Sequence, residues 1–129
     1  MIEPMLGRPV EPSEFGTLDT IGVDAPVDVT FETNELQALC PAVTGIQPDL
    51  YRCAIEYRAN THSIESKSLK LWLVTFRERR IFAENLAVEI GSTIDRLDGL
   101  TLTGVTLTQN VRGGIVETVR YVPEDPRLP

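Results

Sequence analysis

Cys40 and Asp49 are the pair of side chains in this sequence that could act as a nucleophile with a proton-transfer partner. Cys40 stands where the apolar stretch "LQAL" gives way to Pro41, and Asp49 lies further along the same irregular segment, "PAVTGIQPDL". A thiol and a carboxylate delivered by one loop can divide covalent attack and proton transfer between them. A free cysteine is more often a small buried hydrophobe, and Cys40 taken alone fits that role too. A carboxylate anion beside a thiol disfavours the thiolate, so Asp49 must take the thiol proton or hold one of its own. Both roles require burial. Cys53, on a segment of alternating apolar residues, is assigned to packing.

The second stretch of interest is "IESKSLKLWL", residues 64 to 73. Leu69, Leu73 and Phe76 fall at i, i+4 and i+7, with Trp72 widening the stripe, so the spacing predicts a helix over 66–79. Its first turn holds Glu65, Ser66, Lys67 and Ser68 in succession. Acids and hydroxyls favour a helix start, which explains each residue singly, but four polar groups together also suit a ligand. His62, the only histidine, lies in the polar loop "RANTHS" without companion ligands and reads as a surface residue; no protein zinc site is expected. No glycine-rich phosphate loop opens a helix. "RGG" at 112–114 reads as a hairpin turn that could set a guanidinium against a phosphate, and Arg77, Arg79 and Arg80 read as a solvated helix end.

These groups must be positioned by a modest number of elements. A chain of 129 residues with 42% hydrophobic and 24% charged residues is sized for one globular domain. Its net charge of -7 argues against non-specific nucleic-acid binding, so an anionic ligand would have to be held locally. There is no apolar run of about 18 residues and no signal-peptide pattern at the N-terminus, which points to the cytoplasm. Residues 1–26, with four prolines and no sustained period, read as an irregular arm. Val27, Val29 and Phe31 alternate with polar residues, as do Tyr51, Cys53, Ile55 and Tyr57, predicting two strands. A second helix carries Phe82, Leu86, Ile90, Ile94 and Leu97 on one face. "TLTGVTLTQ" is strand-like with a phase shift at Gly104 that predicts a bulge, and "GIVETVRYV" closes a hairpin through "NVRGG". The order ββααββ predicts an α+β fold, an antiparallel sheet with both helices on one face. Such a sheet leaves two edges, which assembly into a closed ring would pair.

Taken in order, "LCP", "TG", "QPD", "ESKSLKLW", "FAEN" and "RGG" resemble the single-module QueF-type nitrile reductases of the tunnelling-fold superfamily. The resemblance covers residues 27–122, with 123–129 as a tail, and "ESKSLKLW" is its most specific part. It implies reduction of 7-cyano-7-deazaguanine to the 7-aminomethyl compound with NADPH, in queuosine-type deazapurine biosynthesis. It also implies a ring-shaped homo-oligomer with sites at subunit junctions.

Carried over by position, the resemblance makes Cys40 the nucleophile and Asp49 the proton donor. Ile64 (through its backbone), Glu65, Ser66, Ala83 and Glu84 become substrate contacts, with Glu84 anchoring the purine-like base. Ser66, Lys67, Arg112 and Gly113 fall where the family holds NADPH. The family's usual "FHE" is "FAE" here, Ala83 replacing a histidine, and the Cys40–Asp49 segment is two residues longer than the common pattern. The alternatives are an amidine-forming relative, in which ammonia attacks the same thioimide, and a non-catalytic purine-binding module.

Overall fold

Buried and exposed residues alternate along Pro48–Ala59, and Tyr51, Cys53, Ile55, Tyr57 and Ala59 are each no more than 2% exposed. Such a strand needs a neighbour on both edges and a layer over one face. The computed structural model, which describes residues 16–42, 45, 47–111 and 113–124, supplies both. Its elements are β1 (Thr20–Gly22), β2 (Val27–Leu39), β3 (Pro48–Ala59), β4 (His62–Ile64), α1 (Ser66–Val74), α2 (Ala83–Asp95), β5 (Leu100–Val111) and β6 (Ile115–Tyr121). The main sheet is antiparallel in the order β2-β3-β5-β6. Leu69, Trp72 and Leu73 of α1 and Leu86, Ala87, Ile90 and Ile94 of α2 join the odd-numbered β3 residues in one core, so the expected α+β arrangement is present. No helix among the described residues is long and apolar enough to cross a membrane.

Three departures from the expected ββααββ order matter for the site. First, Thr20–Gly22 is a strand rather than part of an irregular arm; it pairs with β4 in a separate two-stranded sheet. Three residues are too few to display an alternation. Second, helix α1 stops at Val74 instead of 79, where the Thr75 hydroxyl and amide both turn back onto the Trp72 carbonyl. Third, β2 carries a bulge between Thr33 and Leu36. Before it Val29, Phe31 and Thr33 face inward; after it Leu36 and Ala38 do, and Cys40 follows in the same phase. The anticipated bulge at Gly104 is also present: Glu56 pairs with Gly104, but Tyr57 pairs with Leu102.

Tyr57 ties the main sheet to the small one. Its hydroxyl lies 2.7 Å from Ser63 Oγ and accepts from the Ile64 amide at 3.0 Å, all inside the core. Tyr57→Phe would strand the Ile64 amide, and an unsatisfied buried donor costs about 1–3 kcal/mol. We expect a lower thermal midpoint with an unchanged cooperativity of unfolding; an unchanged midpoint would refute this role.

Candidate active site

The end of β2 delivers Cys40 to a surface that the α1–α2 connection also reaches. The Leu39 amide donates to the Arg79 carbonyl at 2.8 Å, and the Ile81 amide donates to the Leu39 carbonyl at 3.2 Å. The connection therefore runs beside the strand end as a short parallel bridge and starts α2 close to Cys40. Arg80 fixes the loop itself, donating from Nη1 to the Cys40 carbonyl at 3.3 Å and from Nη2 to the Gly45 carbonyl at 2.7 Å. The Cys40 amide closes the same loop onto the Gln47 carbonyl at 3.3 Å. Arg79 is likewise engaged, in a two-pronged ion pair with Glu89 and over the Phe76 ring. Neither arginine is the purely solvated helix-end residue that the sequence suggests.

On β3, Asp49 stands opposite Ala38 and Tyr51 opposite Leu36, so the two side chains share the helix-covered face. Across β5, Gln109 Nε2 donates to Glu117 Oε1 of β6 at 2.9 Å, and that pair continues the row in which Tyr51 lies. Burial, and then the Glu117 carboxylate, push the Asp49 carboxyl above the ordinary aspartate range. Asp49 thus keeps its proton to a higher pH than a solvated aspartate, as a proton donor requires. Ionising it opposes folding, a cost absent below its unfolded pKa that develops as pH rises through the folded one.

Tyr51 is the buried residue that several of these charges influence. Burial raises its hydroxyl pKa strongly, and the charges of Asp49, Glu117, Cys40 and Glu84 add to the effect in that order. Cys40, Asp49 and Glu84 are therefore within electrostatic reach of one buried point. The Tyr51 hydroxyl has no hydrogen-bond partner among the described residues, a condition that costs about 1–3 kcal/mol. Tyr51, Glu117 and Arg80 escaped sequence reasoning. The two-residue phase linking Asp49, Tyr51 and Cys53 was available for Tyr51; nothing local marks the other two.

Ala83 is 3% exposed and faces the core, whereas Glu84 in the same first turn is exposed. Phe82, 51% exposed, precedes them without a side-chain cap on the helix. Cys53, by contrast, is sealed in the core, its thiol pushed up to about 12 by burial, and belongs to packing.

The Glu65–Lys67 turn opens α1, a helix about 13 Å long at 1.5 Å per residue over its nine residues. Glu65 is 1% exposed, and its carboxylate accepts from the Lys67 amide at 2.7 Å and the Ser68 amide at 3.2 Å. Its own amide donates to the Asp19 carbonyl, and the Asp19 amide donates to Ser68 Oγ, so the segment leading into β1 clamps this turn. Ser66 is exposed and Lys67 half-buried, leaving both at the surface above the capped turn. Ile64 holds its amide against Tyr57. Gly113 is exposed at the β5–β6 turn with φ +81°, and Arg112 lies outside the described residues. One protomer thus presents two groups of predicted residues, one at the start of α1 and one around the end of β2 and the start of α2. A groove of about 250 Å³ between α1 and β2–β3, lined by Phe31, Leu36, Ile55, Ser66, Leu69 and Leu73, does not include Cys40, Asp49 or Glu84. His62 is exposed beside Thr61 Oγ1, and no three potential ligand side chains converge on a metal position among the described residues.

A model of the family described as QueF-like protein matches residues 48–127. Among known relatives, the NADPH-dependent 7-cyano-7-deazaguanine reductase of Frankia casuarinae is 40% identical over 112 residues, 85% of this chain and 86% of the relative. The enzyme of the same description from Syntrophus aciditrophicus is 37% identical over 116 residues, 89% of this chain and 81% of its own. That of Synechococcus elongatus is 32% identical over 124 residues, 95% of this chain and 70% of its own.

Proposed function

Because the chain belongs to the QueF-like protein family, we propose that it reduces the nitrile of 7-cyano-7-deazaguanine to the aminomethyl group with NADPH, through a covalent thioimide on Cys40. The observation that carries this reading is the 40% identity to such a reductase over 85% of this chain, supported by a buried Tyr51 hydroxyl that lies within electrostatic reach of Cys40, Asp49 and Glu84.

The chemistry follows from the side chains. Cys40 sulfur adds to the nitrile carbon, one π bond of the nitrile opens, and the nitrogen gains the proton that the thiol gives up, relayed by Asp49. NADPH would supply hydride twice, first to the thioimide carbon, from which the Cys40 thiolate then leaves, and next to the resulting imine carbon, with two protons taken up from solvent, one restoring the thiol and one completing the amine. Glu84, exposed in the first turn of α2, accepts hydrogen bonds from the N–H groups of the base. Burial and the Glu117 carboxylate push the Asp49 pKa upward, the direction that favours a proton-donating carboxyl.

The residues at the start of α1 fit a phosphate-bearing co-substrate in a restricted way. Glu65 occupies the Lys67 and Ser68 amides, so the helix terminus does not offer those amides to a phosphate. Ser66 and Lys67 are the residues of this turn assigned to NADPH, together with Arg112 and Gly113 between β5 and β6. Lys67→Ala should slow NADPH-dependent clearance of the adduct roughly 10- to 100-fold, the worth of a hydrogen bond to a charged group, while adduct formation stays near wild type. The reverse ranking would reject the cofactor role.

A reactive imine must be kept from water, and the groove beside Ser66 does not include Cys40, Asp49 or Glu84. A ring of copies, with the Glu65–Lys67 turn of one chain facing Cys40 and Glu84 of the next, would close the site. Among the described residues no strand pairs with the outer edge of β6 or, short of the bridge at Leu39, of β2, and these edges with the exposed Ile115 and Val116 support such an assembly. The reaction belongs to queuosine-type deazapurine biosynthesis in the cytoplasm.

Intact-protein mass spectrometry after incubation with 7-cyano-7-deazaguanine, followed by NADPH, tests the reading. An adduct on Cys40 that NADPH clears to the aminomethyl product supports it. An adduct that only ammonia clears, or no adduct, overturns it.

A further inference from the structure

We propose that the Tyr51 hydroxyl is a hydrogen-bond donor to the substrate at its reacting end, contacting the nitrile nitrogen as Cys40 adds to the carbon. This rests on the nitrile-reductase reading and adds a residue to it. Tyr51 is 2% exposed, and its hydroxyl is the buried side-chain polar atom left without a partner among the described residues. Tyr57, six residues on along the same face of β3, shows how this fold treats a tyrosine used for structure: its hydroxyl has two partners. A phenylalanine would fill the Tyr51 position without an orphaned hydroxyl, so packing alone does not account for the oxygen.

The surroundings define what the hydroxyl can meet. Asp49 precedes it by one pleat on the same face and pairs with Ala38, Cys40 follows Leu36 and Ala38 in the same phase at the end of β2, and Glu117 and Gln109 lie along the Tyr51 row. Glu117 Oε1 already accepts from Gln109. Burial among acids keeps the phenol protonated, so it offers a proton to an acceptor and has no call to ionise. The acceptor that this chemistry brings next to Cys40 is the nitrogen of the bound nitrile. As the Sγ–C bond forms and one C–N π bond opens, negative charge develops on that nitrogen. It ends by taking the thiol's proton by way of Asp49. A donor already aimed there stabilises the developing charge without itself losing a proton.

The test is Tyr51→Phe in the full-length chain, with 7-cyano-7-deazaguanine as probe, reading the rate of Cys40 adduct formation by intact mass alongside the thermal midpoint. Adduct formation is expected to slow roughly 10- to 100-fold while the midpoint stays level or rises, a combination that a structural hydroxyl does not produce. If wild type and variant form the adduct at equal rates, the assignment fails and the nitrile-reductase reading stands. A slower variant whose midpoint falls by several degrees also overturns it, since the hydroxyl then has a structural partner. Absence of an adduct in the wild type overturns the nitrile-reductase reading and this assignment with it.

Discussion

Cys40→Ala should leave a folded protein that neither gains mass from 7-cyano-7-deazaguanine nor turns over NADPH with it. Losing the group that forms the covalent bond removes the pathway rather than slowing one step, so turnover should fall on the order of 10⁴-fold or more. Stability should barely change. Cys40 is only partly buried and its structural hydrogen bonds run through its backbone amide and carbonyl, which alanine keeps. Cys53 provides the internal control, because its thiol is sealed in the core with a pKa of about 12 and should remain unmodified throughout. Wild-type turnover in Cys40→Ala would remove the covalent mechanism.

The second large effect should come from Glu65→Ala, and it should appear in stability as well as activity. The carboxylate is the side-chain cap of α1 and satisfies two amides, one of them wholly buried with Ser68. Hydrogen bonds to a charged group are worth about 1.5–3 kcal/mol, and loss of a cap alone costs about 0.5–2 kcal/mol. A total of about 2–3 kcal/mol corresponds to a drop of roughly 6–15 °C in the thermal midpoint of a domain this size. Frayed at its start, α1 would also release Ser66 and Lys67, so NADPH use should weaken further than adduct formation at Cys40. A midpoint within a degree or two of wild type would show that the turn is held by other contacts.

Glu65 also shows how far sequence reading reaches. Its resemblance-based role is a substrate contact, and its propensity-based role is a helix start. In the isolated protomer the carboxylate turns inward onto its own helix. The first residue of the polar turn "ESKS" thus caps its own helix in the protomer, while Ser66 is exposed and Lys67 half-buried. Arg80 teaches the complementary lesson. Periodicity continues the helix past Val74 and makes Arg80 a helix-end cation, whereas the turn at Thr75 releases the chain and lets its guanidinium clamp the Cys40 loop.

What the sequence determined by itself is the set of features with a local period. Alternation marked β2 and β3, the 3.6-residue stripe marked α1 and α2, the phase slip marked the bulge at Gly104, and the irregular segment after Leu39 marked the loop that carries Cys40 towards Asp49. Each follows from neighbours two to four residues apart, whose side chains share a face by backbone geometry alone. The tertiary structure decided which polar groups meet. Asp19 reaches Ser68 across 49 positions and Arg80 reaches Cys40 across 40, while Gln109 and Glu117 fall in the row of Tyr51 only because β5 and β6 pair onto β3 in this register. A hydrogen bond or a pKa depends on separation in space, and over such sequence distances that separation exists only once the core has closed.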